Sequence, residues 1–224
     1  AYEISLGLVG SGMCIRDRVT VVRSSLENLG MNQQTEGSAV YLERAEEGIN
    51  RLNLILTNMS EATRLEQMLQ TSEKEQIDLK EVITGCVEGY KLAYPDSHFE
   101  LDVPNYTVHI NGVPEYIAQL LDKLIANAVE FSYADHPISI YCRTLRDHAV
   151  LKVSNAGPFL PDEMKDRLFD SMISVRPQGK QKQPHLGMGL HIARLITDFH
   201  SGEIRAEDRT DREGAVITVV MPLF

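Results

Sequence analysis

The 224 residues predict an α+β chain in two parts. A helical hairpin, completed as a four-helix bundle on dimerisation, precedes a two-layer α/β sandwich. Three observations carry that reading. A near-heptad apolar seam runs from Leu42 to Thr63. Short alternating strands and amphipathic helices mix from Ile77 onward. The glycine turn His185-Leu186-Gly187-Met188-Gly189-Leu190 runs straight into the apolar-periodic stretch His191–Ile196.

Composition bounds the function classes. Apolar residues at 43% suffice for a core, and charged residues at 24% are ordinary. A net charge of −10 argues against nucleic acid as a partner. Cys14, Cys86 and Cys142 are scattered without a CxxC, so they read as reduced and cytoplasmic, with no cysteine metal site. No apolar run reaches membrane-spanning length, so no membrane contact is expected within this segment.

Residues 1–18 fit neither a helix nor a strand, because Gly7, Gly10 and Gly12 interrupt them. The run SLGLVGSGMCIRDR is similar to a translated sequencing-adapter artefact of metagenomic assemblies. Residues 19–75 form the hairpin. Ile15, Val19, Val22, Leu26 and Leu29 mark its first helix. Leu42, Ala45, Ile49, Leu52, Leu56, Met59 and Thr63 mark a second of roughly six turns. Two helices alone bury too little, so the hairpin implies a homodimer.

The sandwich occupies 76–224. Ile77–Leu79 reads as a strand and Lys80–Leu92 as a helix. Phe99–Val103 and Tyr106–Ile110 read as strands flanking a Pro104-Asn105 turn. Pro114–Phe131 is a strong helix, and Ile138–Thr144 with Ala149–Ser154 a hairpin. Pro161–Phe169 reads as a short helix and 170–185 as a long polar loop. The helix Met188–His200 and the strands Glu203–Glu207 and Ala215–Met221 complete it.

Bare N–H groups in the glycine turn, with the positive end of the helix dipole behind them, make an anion site suited to phosphate. Three other pieces precede it in order: the helix LLDKLIANAVEFS (120–132), the strand end Ser154-Asn155-Ala156-Gly157-Pro158, and Leu168-Phe169-Asp170-Ser171. Together they resemble the N, G1, F and G2 boxes of sensor histidine kinases, within the ATPase superfamily shared with gyrase and Hsp90. The similarity covers nearly all of 77–224, and the hairpin fits the family's dimerisation domain. The wording VSNAGP, FDSMISVR and HLGMGLHIARLI is similar to a proteobacterial subgroup associated with a dedicated sortase system.

The resemblance implies a sandwich of the histidine-kinase ATPase type, ATP and Mg²⁺ as cofactors, and a response-regulator receiver domain as partner. It also implies a parent protein anchored in the bacterial inner membrane. Asn127 would offer its amide oxygen to Mg²⁺, a hard cation. Lys123 stands where many relatives carry another Asn, and can contact phosphate or stay solvated. Asn155 replaces the family's adenine-reading Asp; its oxygen still accepts the adenine amino group, without charge assistance. Gly157 admits the base closely, while Phe159 replaces a glycine. The 170–185 loop matches the nucleotide lid, with Phe169 as anchor and Arg176, Lys180 and Lys182 as a local field for phosphates. An ordinary solvated basic loop is the alternative. Gly187, Met188, Gly189 and Leu190 would face the triphosphate. His185 and His191 read as lid and surface residues.

The acceptor histidine is absent. Aligning the family's His-Glu-Leu-Arg-Thr-Pro motif on Arg16, Val19 and Thr20 puts Met13 at its position and Cys14 at that of the general base. Arg18 replaces the proline and Asp17 the phosphatase threonine. A thioether cannot take a phosphoryl group as imidazole does. The expectation is a histidine kinase by family whose own transfer is lost. A nucleotide-binding regulatory module without transfer is the alternative. A serine kinase acting on an anti-sigma antagonist shares the ATP site, but usually lacks a hairpin like 39–70.

Overall fold

The computed structural model describes Thr20, Arg23, Leu26, Glu27, residues 36–160, Lys165, residues 167–170, 188–211 and 213–224. Met13, Cys14, most of the first hairpin helix, Arg176, Lys180, Lys182, His185 and Gly187 lie outside the described residues. The chain divides into two compact units, one comprising Ala1–Leu65 with Pro177–Leu186 and the other Glu66–Arg176 with Gly187–Phe224.

Helix α1 (Glu36–Thr71) is 36 residues long, or about 54 Å at 1.5 Å per residue. Its described apolar positions divide unevenly. Ile49, Ala62 and Leu65 are buried, while Leu52 is 49% exposed and Met68 45%. The seam therefore continues past Thr63 to Leu65.

In the second unit, β1 (Glu75–Asp78) pairs antiparallel with β3 (His109–Gly112), Ile77 opposite Ile110. Asp78 ends the strand by capping α2 (Leu79–Ala93). Its Oδ1 accepts N–H bonds from Lys80 and from Val108, each at 3.0 Å. This explains one departure from the sequence reading. Residues 106–108 form no ladder, because Asp78 takes the Val108 amide and the Leu79 amide takes the Val108 carbonyl. The strand begins only at His109, and Leu79 belongs to the helix.

The main sheet has the order β2–β4–β5–β7–β6. Strand β2 (Phe99–Asp102) runs parallel to β4 (Ile138–Leu145). Strands β4, β5 (His148–Ala156), β7 (Gly214–Pro222) and β6 (Glu203–Asp208) pair antiparallel. So β2 and β3, read as neighbours across a turn, join different sheets. Alternate residues Ile140, Cys142, Leu151, Val153, Ile217 and Val219 point to one face and are buried.

Helix α3 (Pro114–Phe131) starts at a proline, which needs no N–H partner there. It buries Ile117, Leu120, Leu121, Leu124 and Ile125 completely, each a gain of roughly 1.5–3 kcal/mol. Helix α4 (Met188–Phe199) packs beside it. His200 pins the two together. Val113 N–H donates to its Nε2 at 3.2 Å, so Nδ1 carries the proton and donates to the Ile196 carbonyl at 2.7 Å. A Cβ at Gly112 would lie 2.7 Å from the His200 ring.

Candidate nucleotide site

The site is built from three chain ends, of which the end of α3 and the end of β5 meet directly. On α3, Lys123 and Asn127 are one turn apart, both half-buried, at the margin of the buried stripe. They form a polar edge beside the core face.

The second end is that of β5. Asn155 shares the inward parity of Leu151 and Val153 and is 5% exposed. Beyond it the chain is clamped from both sides. Tyr133 N–H donates to the Ala156 carbonyl at 2.8 Å, and Gly157 N–H to the Glu213 carbonyl at 3.3 Å. A Cβ at Gly157 would sit 2.2 Å from the Phe131 carbonyl oxygen and 2.9 Å from Asn155 Nδ2. Gly214 has φ +146°, and a Cβ there would be 2.1 Å from the Asn155 carbonyl. Glycine is therefore required on both flanks of Asn155.

Outside this clamp, the Tyr133 hydroxyl donates to Glu213 Oε2 at 3.1 Å, which holds the Tyr133 hydroxyl above its ordinary pKa. Asp208 accepts the Leu160 N–H at 2.8 Å and Lys165 Nζ at 2.6 Å, fixing the stretch after β5 to the end of β6.

One polar group at this convergence, Ser132 Oγ, is buried without a partner among the described residues. Beside it lies Asn155, 5% exposed, whose side chain forms no hydrogen bond with a described residue. Buried polar groups without partners are scarce in folded proteins and call for a water, an ion or a ligand.

The third end is the start of α4. Met188 is buried, and Gly189 and Leu190 are half-buried. Gly189 meets open space where a Cβ would be. His191 donates through Nδ1 to the Phe169 carbonyl at 3.2 Å. Phe169 itself is 4% exposed, so its ring is held inside.

These residues fit a magnesium nucleotide in a specific sense. Among the described residues no group of three or more His, Cys, Asp or Glu could hold a metal. The amide oxygen of Asn127, on the polar edge of α3, is one oxygen ligand of the type a hard cation takes. That suits Mg²⁺, which keeps its waters and leans on phosphate oxygens more than on protein cages.

A family model described as Histidine kinase-, DNA gyrase B-, and HSP90-like ATPase matches residues 112–224. The chain belongs to this ATPase family. The sensor protein ChvG of Rhizobium meliloti (strain 1021) is 25% identical over 211 residues, covering 90% of this chain and 37% of ChvG. The chain thus spans little more than a third of that relative. The nucleotide-free catalytic domain of the histidine kinase ThkA superposes with a TM-score of 0.58 at 26% identity, covering 67% of this chain and 96% of that one. Full-length ShkA, solved in complex with AMPPNP, gives 0.61 at 16% identity over 97% of this chain and 45% of its own, a likeness of fold. These relatives support the resemblance to sensor histidine kinases.

For this histidine-kinase-type ATPase domain, Asn155, Gly157, Ser132 and the end of α3 come together. Lys123 and Asn127 line the adjoining helix edge, and Met188, Gly189 and Leu190 open α4. Tyr133, Glu213 and Gly214 escaped the sequence reading, and Ser132 entered it only as the last residue of the 120–132 stretch. Only Gly214 carries a local signal, the turn composition around Asp211-Arg212-Glu213-Gly214. Among the described residues no helix is long and apolar enough to cross a membrane.

Proposed function

We propose that this domain binds Mg·ATP as the catalytic part of a sensor histidine kinase. The observation that carries the reading is the buried, unbonded Ser132 Oγ beside the buried residue Asn155, at a strand end flanked by obligatory glycines. In this reading Asn155 accepts the adenine amino group and Gly157 lets the base approach. Asn127 gives an oxygen to Mg²⁺, and Lys123, with Arg176 and Lys182, balances phosphate charge. Gly187, Met188, Gly189 and Leu190 present N–H groups to the triphosphate. Phe169, held under α4, anchors the loop that leads there. Phosphoryl transfer rests on such positioning and charge neutralisation more than on covalent help from the protein.

In the intact family arrangement the phosphoryl group passes to a histidine on the hairpin and on to an aspartate of a response regulator. Here Met13 and Cys14 stand at the acceptor and base positions, so transfer is lost and binding remains. The hairpin would form a homodimer, with the exposed Leu52 as part of its apolar seam.

Calorimetry with Mg·AMPPNP tests the binding. Affinity should require Mg²⁺, and Asn127→Ala should weaken it by about tenfold or more, the value of one lost charge-assisted contact. Magnesium-independent affinity, or an Asn127→Ala variant equal to the parent, would sink the assignment. With labelled ATP the chain should yield no acid-labile phosphoprotein, whereas Met13→His combined with Cys14→Glu should restore labelling. Failure of that rescue favours the second reading, a regulatory module acting through bound nucleotide alone.

A further inference from the structure

We propose that the base pocket reads both six-amino and six-oxo purines, so that GTP is accepted along with ATP; this rests on the nucleotide-binding reading above. At the end of β5 the Asn155 amide forms no hydrogen bond with a described residue, and at the end of α3 beside it the Ser132 hydroxyl is buried and unbonded. Each can donate or accept. Neither imposes the fixed preference that an ionised carboxylate would. Adenine presents a donor amino group beside an acceptor ring nitrogen; guanine presents an acceptor oxygen beside a donor ring N–H. An amide matches either pair by turning over.

The surroundings permit that turn. Asn155 Nδ2 lies 2.9 Å from where a Cβ at 157 would stand, and with glycine there no methyl pins the amide. No hydrogen bond among the described residues holds one orientation. The carboxylate on the adjoining turn, Glu213, is engaged by the Tyr133 hydroxyl. Asp208, on the same row of the sheet as Asn155 and Ala215, is taken by Leu160 N–H and Lys165. These two neighbouring carboxylates are thus engaged elsewhere.

The test is titration of the whole chain with Mg·AMPPNP, Mg·GMPPNP and Mg·ITP. The expected result is that the two six-oxo nucleotides bind within about tenfold of the adenine one, since no buried group is left mismatched. Asn155→Asp should raise adenine affinity and weaken both six-oxo nucleotides, widening the ratio by about tenfold to a hundredfold. Thermal melting of the variant checks its fold, and the native chain with ITP decides the matter even if that variant unfolds. Adenine binding with six-oxo nucleotides more than about a hundredfold weaker overturns this proposal and leaves ATP binding standing. An unchanged ratio in a folded Asn155→Asp variant also overturns it. Absence of binding by all three nucleotides overturns the ATP reading together with it.

Discussion

A methyl group at position 157 would lie 2.2 Å from the Phe131 carbonyl oxygen, and backbone cannot swing aside as a side chain does. Gly157→Ala should therefore destabilise the domain by about 1–3 kcal/mol in urea unfolding, the usual range for overpacking. Gly189 is the contrast. A Cβ there meets nothing, so Gly189→Ala should leave stability unchanged or raised. If Gly189 serves phosphate, nucleotide affinity should nevertheless fall. Loss of stability at 189, or none at 157, would contradict the packing described. The cysteines differ by burial in the same way. Desolvation pushes the Cys142 thiol up to about 11, while half-buried Cys86 is raised by desolvation and by the nearby Asp122.

At the scale of elements, Asp78 ties β1, α2 and the approach to β3 with one carboxylate oxygen. Asp78→Ala removes a helix cap worth about 1 kcal/mol. It also strands the Val108 amide, 1% exposed at its residue, at a further cost of about 1–3 kcal/mol. Chemical denaturation should show a loss near the sum; a loss under about 0.5 kcal/mol would mean that water replaces the carboxylate. This corner also shows where the sequence stopped being readable. Helix α3 was legible to the residue, from Pro114 to Phe131, because the proline start and the 3.6-residue periodicity agree. The β4–β5 hairpin was legible for the same reason, alternation closed by a short turn. Alternation at 106–110 could say that a strand was possible, yet not that Asp78 would intercept Val108. It could not say that β2 would pair parallel with β4 either. Within the site, Asn127, Asn155 and Gly157 stood out through the resemblance. The link between Tyr133 and Glu213 joins residues 80 apart, and no local pattern announces it.

Across the second unit as a whole, His200 is where the small β1–β3 sheet, the start of α3 and the end of α4 are fastened. It is 2% exposed, and burial lowers its pKa from 6.5, with the nearby Lys74 adding to the effect and the Ile196 carbonyl opposing it. A folded pKa below the unfolded one means that the unfolded chain binds the extra proton first. The stabilisation is therefore full above about pH 6.5 and declines as pH falls below it, levelling off under the folded pKa. Asp208, where desolvation pushes the carboxyl up but the Lys165 and Leu160 bonds together outweigh it and hold it below 3.8, adds its own loss only at more acid pH. The melting temperature should thus drop on acidification from pH 7 to 5, and His200→Gln should flatten that slope. An equal slope in both proteins would remove His200 as the cause. The imidazole also reaches backward in sequence, filling the space a side chain at 112 would need. Positions 112 and 200 should accordingly drift as a couple in descendants of this gene. A smaller residue must arrive at 200 before anything but glycine is tolerated at 112, so one of the two mutational routes between such lineages is closed.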